Sequence, residues 1–298
     1  MPFPHAGELA ALATACCWTL TALFFEAASK RIGSLTVNMG RLVLALVFIS
    51  LYCRIVRGYW LPLDATAHNW IWLLISGAVG IFMGDMCLFR AFVLIGARKA
   101  MLIMSLAPPL TAFSGCLLMG EWLTPIDWAG MFLTVAGVSW VVIERGPKGQ
   151  DAASETSLSG LALAFFAAAA QAMGLVLSKF GMKGYDPFAA TQIRILAALA
   201  GLLVLFTVLK WWTKMRKLFI DGRAVGWTAM GAFFGTFLGI SLSLLAVQLT
   251  KTGIAATIMS IVPILIIPPA VLFFKENVTL RSVLGAFLAV AGVSLLFL

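Results

Sequence analysis

The stretch MSLAPPL, Met104 to Leu110, interrupts an apolar run long enough to cross a bilayer, and 155 positions later the chain reads MSIVPIL, Met259 to Leu265. Proline removes a backbone donor and clashes with the preceding helical turn, at a cost of about 3 kcal/mol in water. In hydrocarbon no solvent satisfies the carbonyl it frees, so such a break is tolerated only against protein or along a wet cavity. Pro108, Pro109 and Pro263, with Ser105 and Ser260 one turn earlier, are therefore candidates to border a polar path, with a simple packing kink as the alternative. Pro268 and Pro269 bend the second run again.

The offset extends outward from this stretch. VAGVS at 135–139 returns at 290–294, and the same shift pairs Glu121 with Glu276, Thr124 with Thr279 and Gly130 with Gly285. Between 80 and 139 there are 22 identities in 60 positions without a gap, glycine, proline and glutamate among them. Nearer the start the offset is 153, pairing Gly7 with Gly160, Trp18 with Gln171, Glu26 with Lys179 and Arg41 with Arg194.

Composition fixes the solvent. Of 298 residues 62% are hydrophobic and 11% charged, with mean hydropathy +1.02, whereas a soluble domain is about half apolar and a quarter charged. Ten charge-poor segments follow, at 7–28, 34–53, 70–94, 98–119, 125–143, 158–179, 187–209, 225–248, 253–274 and 280–298. Each is long enough to cross the roughly 30 Å hydrocarbon layer as a helix, which satisfies its own backbone hydrogen bonds. The expected class is an all-α polytopic membrane protein of ten transmembrane helices. The first segment lacks the basic start of a secretory signal, so it reads as a retained span.

Five spans per half is an odd number, so the second half enters the membrane upside down relative to the first. The expectation is two inverted five-helix repeats, 1–145 and 158–298, joined by a polar linker at 146–157 within ERGPKGQDAASETS and enclosing a central cavity. Such symmetry suits alternating access, in which similar halves exchange conformations and expose one site to each side in turn.

Several function classes lose their footing. The net charge of +9 resides in short loops beside spans, where it signals topology rather than nucleic-acid binding. No GxxxxGK[ST] or HExxH is present, and Cys16, Cys17, Cys53, Cys87 and Cys116 form no CxxC or Cys/His cluster, so no cofactor, metal site or catalytic residue is indicated. An intramembrane enzyme needs a deep Ser with His or Lys. FSGCL offers Ser114, but the two histidines, His5 and His68, lie at span edges. A channel or membrane scaffold remains as the other alternative to a carrier.

The arginine early in the second span of each half (NMGRLVLA, TQIRILAA), the proline in each fourth span, the GE or KE before each last span (MGEWLTP, FKENVTL) and the glycine pattern after it carry a resemblance. On these motifs, over essentially its whole length, the chain resembles the EamA-like branch of the drug/metabolite transporter superfamily. The resemblance implies a basket of helices around a cavity lined mainly by spans 1, 3, 4, 6, 8 and 9. It also implies transport, often export, of small organic metabolites such as amino acids without ATP. Near the end of span 1 the family usually has lysine; this chain has Glu26, while its repeat mate Lys179 keeps the lysine.

Charges and polar groups inside spans are the candidate machinery, because each is costly in lipid and must face the bundle or an interface. Arg41 and Arg194, beside Asn38 and Gln192, can hold a carboxylate or staple helix ends. Asp85 and Arg90 lie five residues apart in GDMCLFRAF, about 140° around a helix, so they do not pair with each other. Asp85, the deepest carboxylate, is the first candidate for proton coupling or for a cationic group, unless it pairs structurally with Arg41; Glu26 is the second. Trp18, Gln171 and Gln248, the last with Ser241 on one helix face, are candidate solute contacts or ordinary core. GxxxG at Gly80/Gly84 and Gly231/Gly235/Gly239, and the pairs Gly130/Gly137 and Gly285/Gly292, read as close helix contacts within the chain or on a homodimer face.

Outside the spans, thirteen basic residues fall on the face opposite the termini and five on the face that carries them. By the positive-inside rule the termini are outside the cell, in a bacterial inner (plasma) membrane. The family resemblance implies the reverse.

Overall fold

The computed structural model describes residues 5–144, 157–213, 215, 221–265 and 280–297, and every regular element among them is helical. In the first half these are α1 (Ala6–Ile32), α2 (Ser34–Arg57), α3 (Ala67–Ser76), α4 (Gly84–Met104), α5 (Ala107–Met119) and α6 (Pro125–Glu144). The second half contributes α7 (Leu158–Met182), α8 (Pro187–Val208), α9 (Gly222–Gly231), α10 (Ile240–Leu249), α11 (Thr252–Met259), α12 (Val262–Leu265) and α13 (Leu280–Leu295). Six helical stretches among the described residues are long and apolar enough to cross a membrane, and Ala107–Met119 and Val283–Leu295 are shorter apolar helices. The surface is inverted relative to a soluble protein, with Val47, Leu117, Phe132, Phe166, Val204 and Phe287 exposed, as lipid contact demands.

Local sequence starts these helices. Thr66 and Asn69 form a capping box on α3, Asp186 caps α8 with Pro187 at its first turn, and Ser157 and Asp221 cap α7 and α9. The turn expected between spans 3 and 4 is not seen: α4 continues through 95–98 to Met104. GARKA carries one glycine and no proline there, too weak a signal to stop a helix. The chain breaks instead at 105–106 and, in the repeat, at 260–261. The two breaks match bond for bond: Leu106 N–H donates to Ile103 O at 3.0 Å and Ile261 N–H to Ile258 O at 3.3 Å. Leu110 and Leu265 then restart the helices on Leu106 O and Ile261 O, each at 3.1 Å.

A second repeated device escaped sequence reading. Gly77–Met83 and Ala232–Gly239, equivalent under the 155 offset, are π-helical and join α3 to α4 and α9 to α10. The wider turn interrupts the i→i−4 ladder inside an otherwise continuous span.

Packing reveals how the halves combine. α6 and its repeat mate α13 run antiparallel: a Cβ on Gly130 would lie 2.9 Å from Gly292 O, and one on Gly137 2.6 Å from Gly285 O. Equivalent elements packed head to tail relate the halves by a twofold rotation. These four glycines are thus used inside the chain rather than on an outer dimer face.

The third span of each half crosses to the first span of the other half. A Cβ on Gly80 would meet Gly174 of α7 at 3.0 Å, and one on Gly235, its mate, would meet Thr21 of α1 at 2.4 Å. Gly7 against Thr250 and Gly160 against Ile95 repeat the relation at the helix starts. Fully buried alanines such as Ala11, Ala15, Ala167, Ala168, Ala189 and Ala190 allow the same close approach along these seams.

Candidate functional site

Where the crossed spans meet, two connected cavities open. One of about 280 Å³ is lined by Trp18 and Thr21 of α1, Arg41 of α2, Asp85 of α4, Gln171 of α7 and Arg194 of α8, with Ile240 and Ser243 of α10. The second, of about 250 Å³, shares Trp18, Gln171 and Leu175 with the first and continues between the two helix breaks, past Ser105, Pro108 and Thr111 on one side and Met259 and Ser260 on the other. Pro108 and Pro263 have no N–H to offer the carbonyls of Met104 and Met259, and both methionines line this second cavity. Broken helices thus border a cavity here, as hydrocarbon requires.

The sequence candidates divide clearly. Trp18, Arg41, Asp85, Gln171, Arg194, Ser105, Pro108 and Ser260 surround the cavities. Gln248 does not: it lies in an outer recess of about 470 Å³ with Lys179 and donates to Tyr185 O at 3.2 Å. Ser241, on its helix face, is fully buried. Arg90 is exposed on α4 and lines neither cavity. The side chains of Glu26 and Pro263, and all of Pro268, Pro269 and Glu276, lie outside the described residues.

Charge is distributed unevenly inside. Asp85 pairs with the Arg41 guanidinium, and Arg41 Nε also donates to Asn38 Oδ1 at 2.7 Å, with the Phe25 ring 5.8 Å from its Cζ. Both charged side chains are 17% exposed. Arg194 is 5% exposed, its Nε finds no hydrogen-bond partner, and no carboxylate among the described residues pairs with it. A recess of about 210 Å³ bordered by Ser29, Ser34 and Asn38 shares Arg41 and Asp85 with the first cavity. It leads toward the far face, where α1 ends and α2 begins.

The near face, which carries the start of α1 and the ends of α2, α7 and α10, is tied shut. Lys179 Nζ contacts Glu121 Oε1 at 2.6 Å and donates to Thr250 O at 2.6 Å. Glu121 Oε2 accepts from Thr252 N–H and hydroxyl, both at 2.7 Å, and Thr250 donates to Glu8 at 2.7 Å. Lys251 meets Asp127 at 3.1 Å. Burial raises the affinity of Glu121 for a proton, but its hydrogen bonds from Lys179 and Thr252 outweigh that and hold its carboxyl below the usual glutamate range. Beside this network Arg57 and Tyr185 both bind Asp64, and burial pushes the Tyr185 hydroxyl up to about 12.

Sequence reasoning named Lys179 and gave Glu121 only as the repeat match of Glu276 and within a motif, and it missed Thr250 and Thr252. The repetition of GE and KE before the last span of each half was the available signal.

Comparison with known proteins agrees with this architecture. A solved protein described only as a crystal structure of a protein superposes with a TM-score of 0.76 at 17% identity, over 97% of this chain and 95% of that one, a likeness of fold. An uncharacterised transporter of Archaeoglobus fulgidus is 23% identical over 291 residues, 97% of each chain. The model of the EamA-like transporter family matches twice, at residues 5–143 and 158–298. A duplicated helical unit, crossed between halves around a polar cavity and matching that family along both copies, identifies the chain as a member of the EamA-like transporter family, in the drug/metabolite transporter superfamily of integral membrane proteins.

Proposed function

We propose that the chain is a secondary carrier that exports small polar or amphipathic metabolites, such as amino acids or related compounds, by alternating access. The observation that carries this reading is the cavity at the junction of the two halves, tied off toward the near face by the Glu121 network and reaching toward the far face past Ser34. A site open to one side and barred from the other is what one limb of such a cycle requires, and twofold-related halves provide the other limb.

In this reading ten spans cross the plasma membrane as two units, 1–145 and 158–298, about the linker 146–157. The far face, with thirteen of the eighteen basic residues outside the expected spans, is cytoplasmic and the termini lie outside. The solute then enters the cavity from the cytoplasm. The halves then exchange conformations, and Asp85, the deepest carboxylate among the cavity residues, is the first candidate for coupling that exchange to a proton.

Purified protein in liposomes tests the reading. It should move at least one member of a metabolite panel; no flux of any member, with or without a pH gradient, sinks it. A cytoplasm-only fluorescent reporter fused after Leu298 should stay dark, and a bright one reverses the orientation.

A further inference from the structure

Arg41 and Arg194 occupy equivalent places in the two halves, yet only one is furnished with partners. Beside Arg41 stand a carboxylate, Asp85, and an amide, Asn38. The repeat offsets put Ile240 where Asp85 stands and Thr191 where Asn38 stands. Ile240 lines the same cavity and offers no acceptor. Thr191 turns its hydroxyl to Pro187 O of its own helix at 2.9 Å. Both acceptors are missing at Arg194, and its Nε is buried without a partner.

A guanidinium held 5% exposed inside a membrane protein with neither counter-charge nor acceptor among the described residues costs several kcal/mol, and the group does not escape by losing its proton. We propose that Arg194 anchors a carboxylate subsite, and that the solute is a monocarboxylate whose carboxylate takes beside Arg194 the place that Asp85 takes beside Arg41. Guanidinium suits this role because its planar fork binds a carboxylate bidentately.

Charge balance sets the class. Arg41, Asp85 and Arg194 leave the cavity at net +1. A monoanion neutralises it, a zwitterionic amino acid leaves it at +1, a cation raises it to +2 and a dicarboxylate overshoots, so among the proposed metabolites the monoanionic acids fit best. The rest of the chamber fits an apolar or hydroxylated body: Trp18 and Leu175 lie at the junction, with Met104, Met259, Ser105 and Ser260 beyond. The subsite rests on the carrier reading only for its loading and unloading, because binding is measurable without transport.

The test is thermal unfolding of the detergent-purified protein with straight-chain 2-hydroxy acids of three to eight carbons and with their amides. Acids of fitting length raise Tm while the matching amides do not. Arg194→Met abolishes the shift. Ile240→Asp, which builds the missing partner into the chain, lowers acid affinity at least tenfold. The proposal is overturned if no acid shifts Tm, if acid and amide act alike, or if the acid shift survives Arg194→Met. Binding as stated with no flux in liposomes would sink the carrier and leave the subsite; flux of uncharged solutes with every acid inert would do the reverse.

Discussion

The two halves of this transporter share their backbone devices and differ in their charges. Each has a π-helical third span, a helix break in the fourth and a glycine seam against its counterpart. By contrast Asp85 is matched in sequence by Ile240, and Lys179 by Glu26. The shared devices set how each half bends, which a carrier working by alternating access needs twice. In the proposed reading the unshared charges set what is held and which side closes, which such a carrier needs once. Substitutions at equivalent positions should therefore have unequal effects, and the size of the inequality measures the asymmetry.

The largest is expected at the arginines. Arg41→Met strands Asp85 in the interior and should destabilise the fold by about 3–5 kcal/mol, whereas Arg194→Met removes a charge that lacks a partner and should leave stability equal or higher. Unfolding in mixed micelles measures both; equal losses would mean that Arg194 has a partner after all. Next comes Glu121→Ala, which strands Lys179 and the Thr252 N–H and should weaken near-face closure by about 2–3 kcal/mol. With the five native cysteines replaced and Thr111→Cys as reporter, labelling by an impermeant thiol reagent from the near face should rise at least about tenfold; an unchanged rate would remove Glu121 from the closure.

The same network gives a pH expectation. The Glu121 carboxyl is depressed in the folded state, so its contribution is complete above the ordinary glutamate value of 4.5 and is lost as pH falls through the depressed value. Near-face closure should therefore persist through neutral and mildly acidic pH and loosen only below that value, read as lost exchange protection of the near-face backbone amides after correction for the intrinsic pH dependence of exchange.

Smaller again is Gly137→Ala, whose Cβ would lie 2.5 Å from Ala289 N. Parting α6 from α13 should cost about 1–2 kcal/mol, seen as a lower Tm. Last is Arg31→Ala. The pair of Arg31 with Asp221, at 2.7 Å on the far face, is open to solvent, so its loss should leave Tm unchanged within error.

Much of this was legible in the sequence because duplication turns one chain into its own alignment. Pro108 with Pro263, Ser105 with Ser260 and Arg41 with Arg194 stood out by identity across the offset, and Pro108, Ser105, Ser260, Arg41 and Arg194 border the cavities. What differed between the halves carried no such signal. That Asp85 is matched by Ile240 is visible in the letters, but its meaning depends on α2 and α4 bringing Arg41 to Asp85, which helical period alone does not fix. Gln248 illustrates the converse: a polar side chain sharing a helix face with Ser241 read equally as a solute contact or as ordinary core, and in the structure it satisfies the carbonyl of Tyr185. The π-helical turns were hidden because GxxxG predicts close approach equally well in α-helix and in π-helix.

The crossing of each third span to the opposite first span has a consequence for biogenesis. Neither five-helix unit can bury its own seams, since Gly80 needs Gly174 and Gly235 needs Thr21. A gene split inside 146–157 should thus yield two polypeptides that are degraded when made singly and accumulate as an obligate heterodimer when made together, much as two separately encoded ancestral subunits would have done before they were fused.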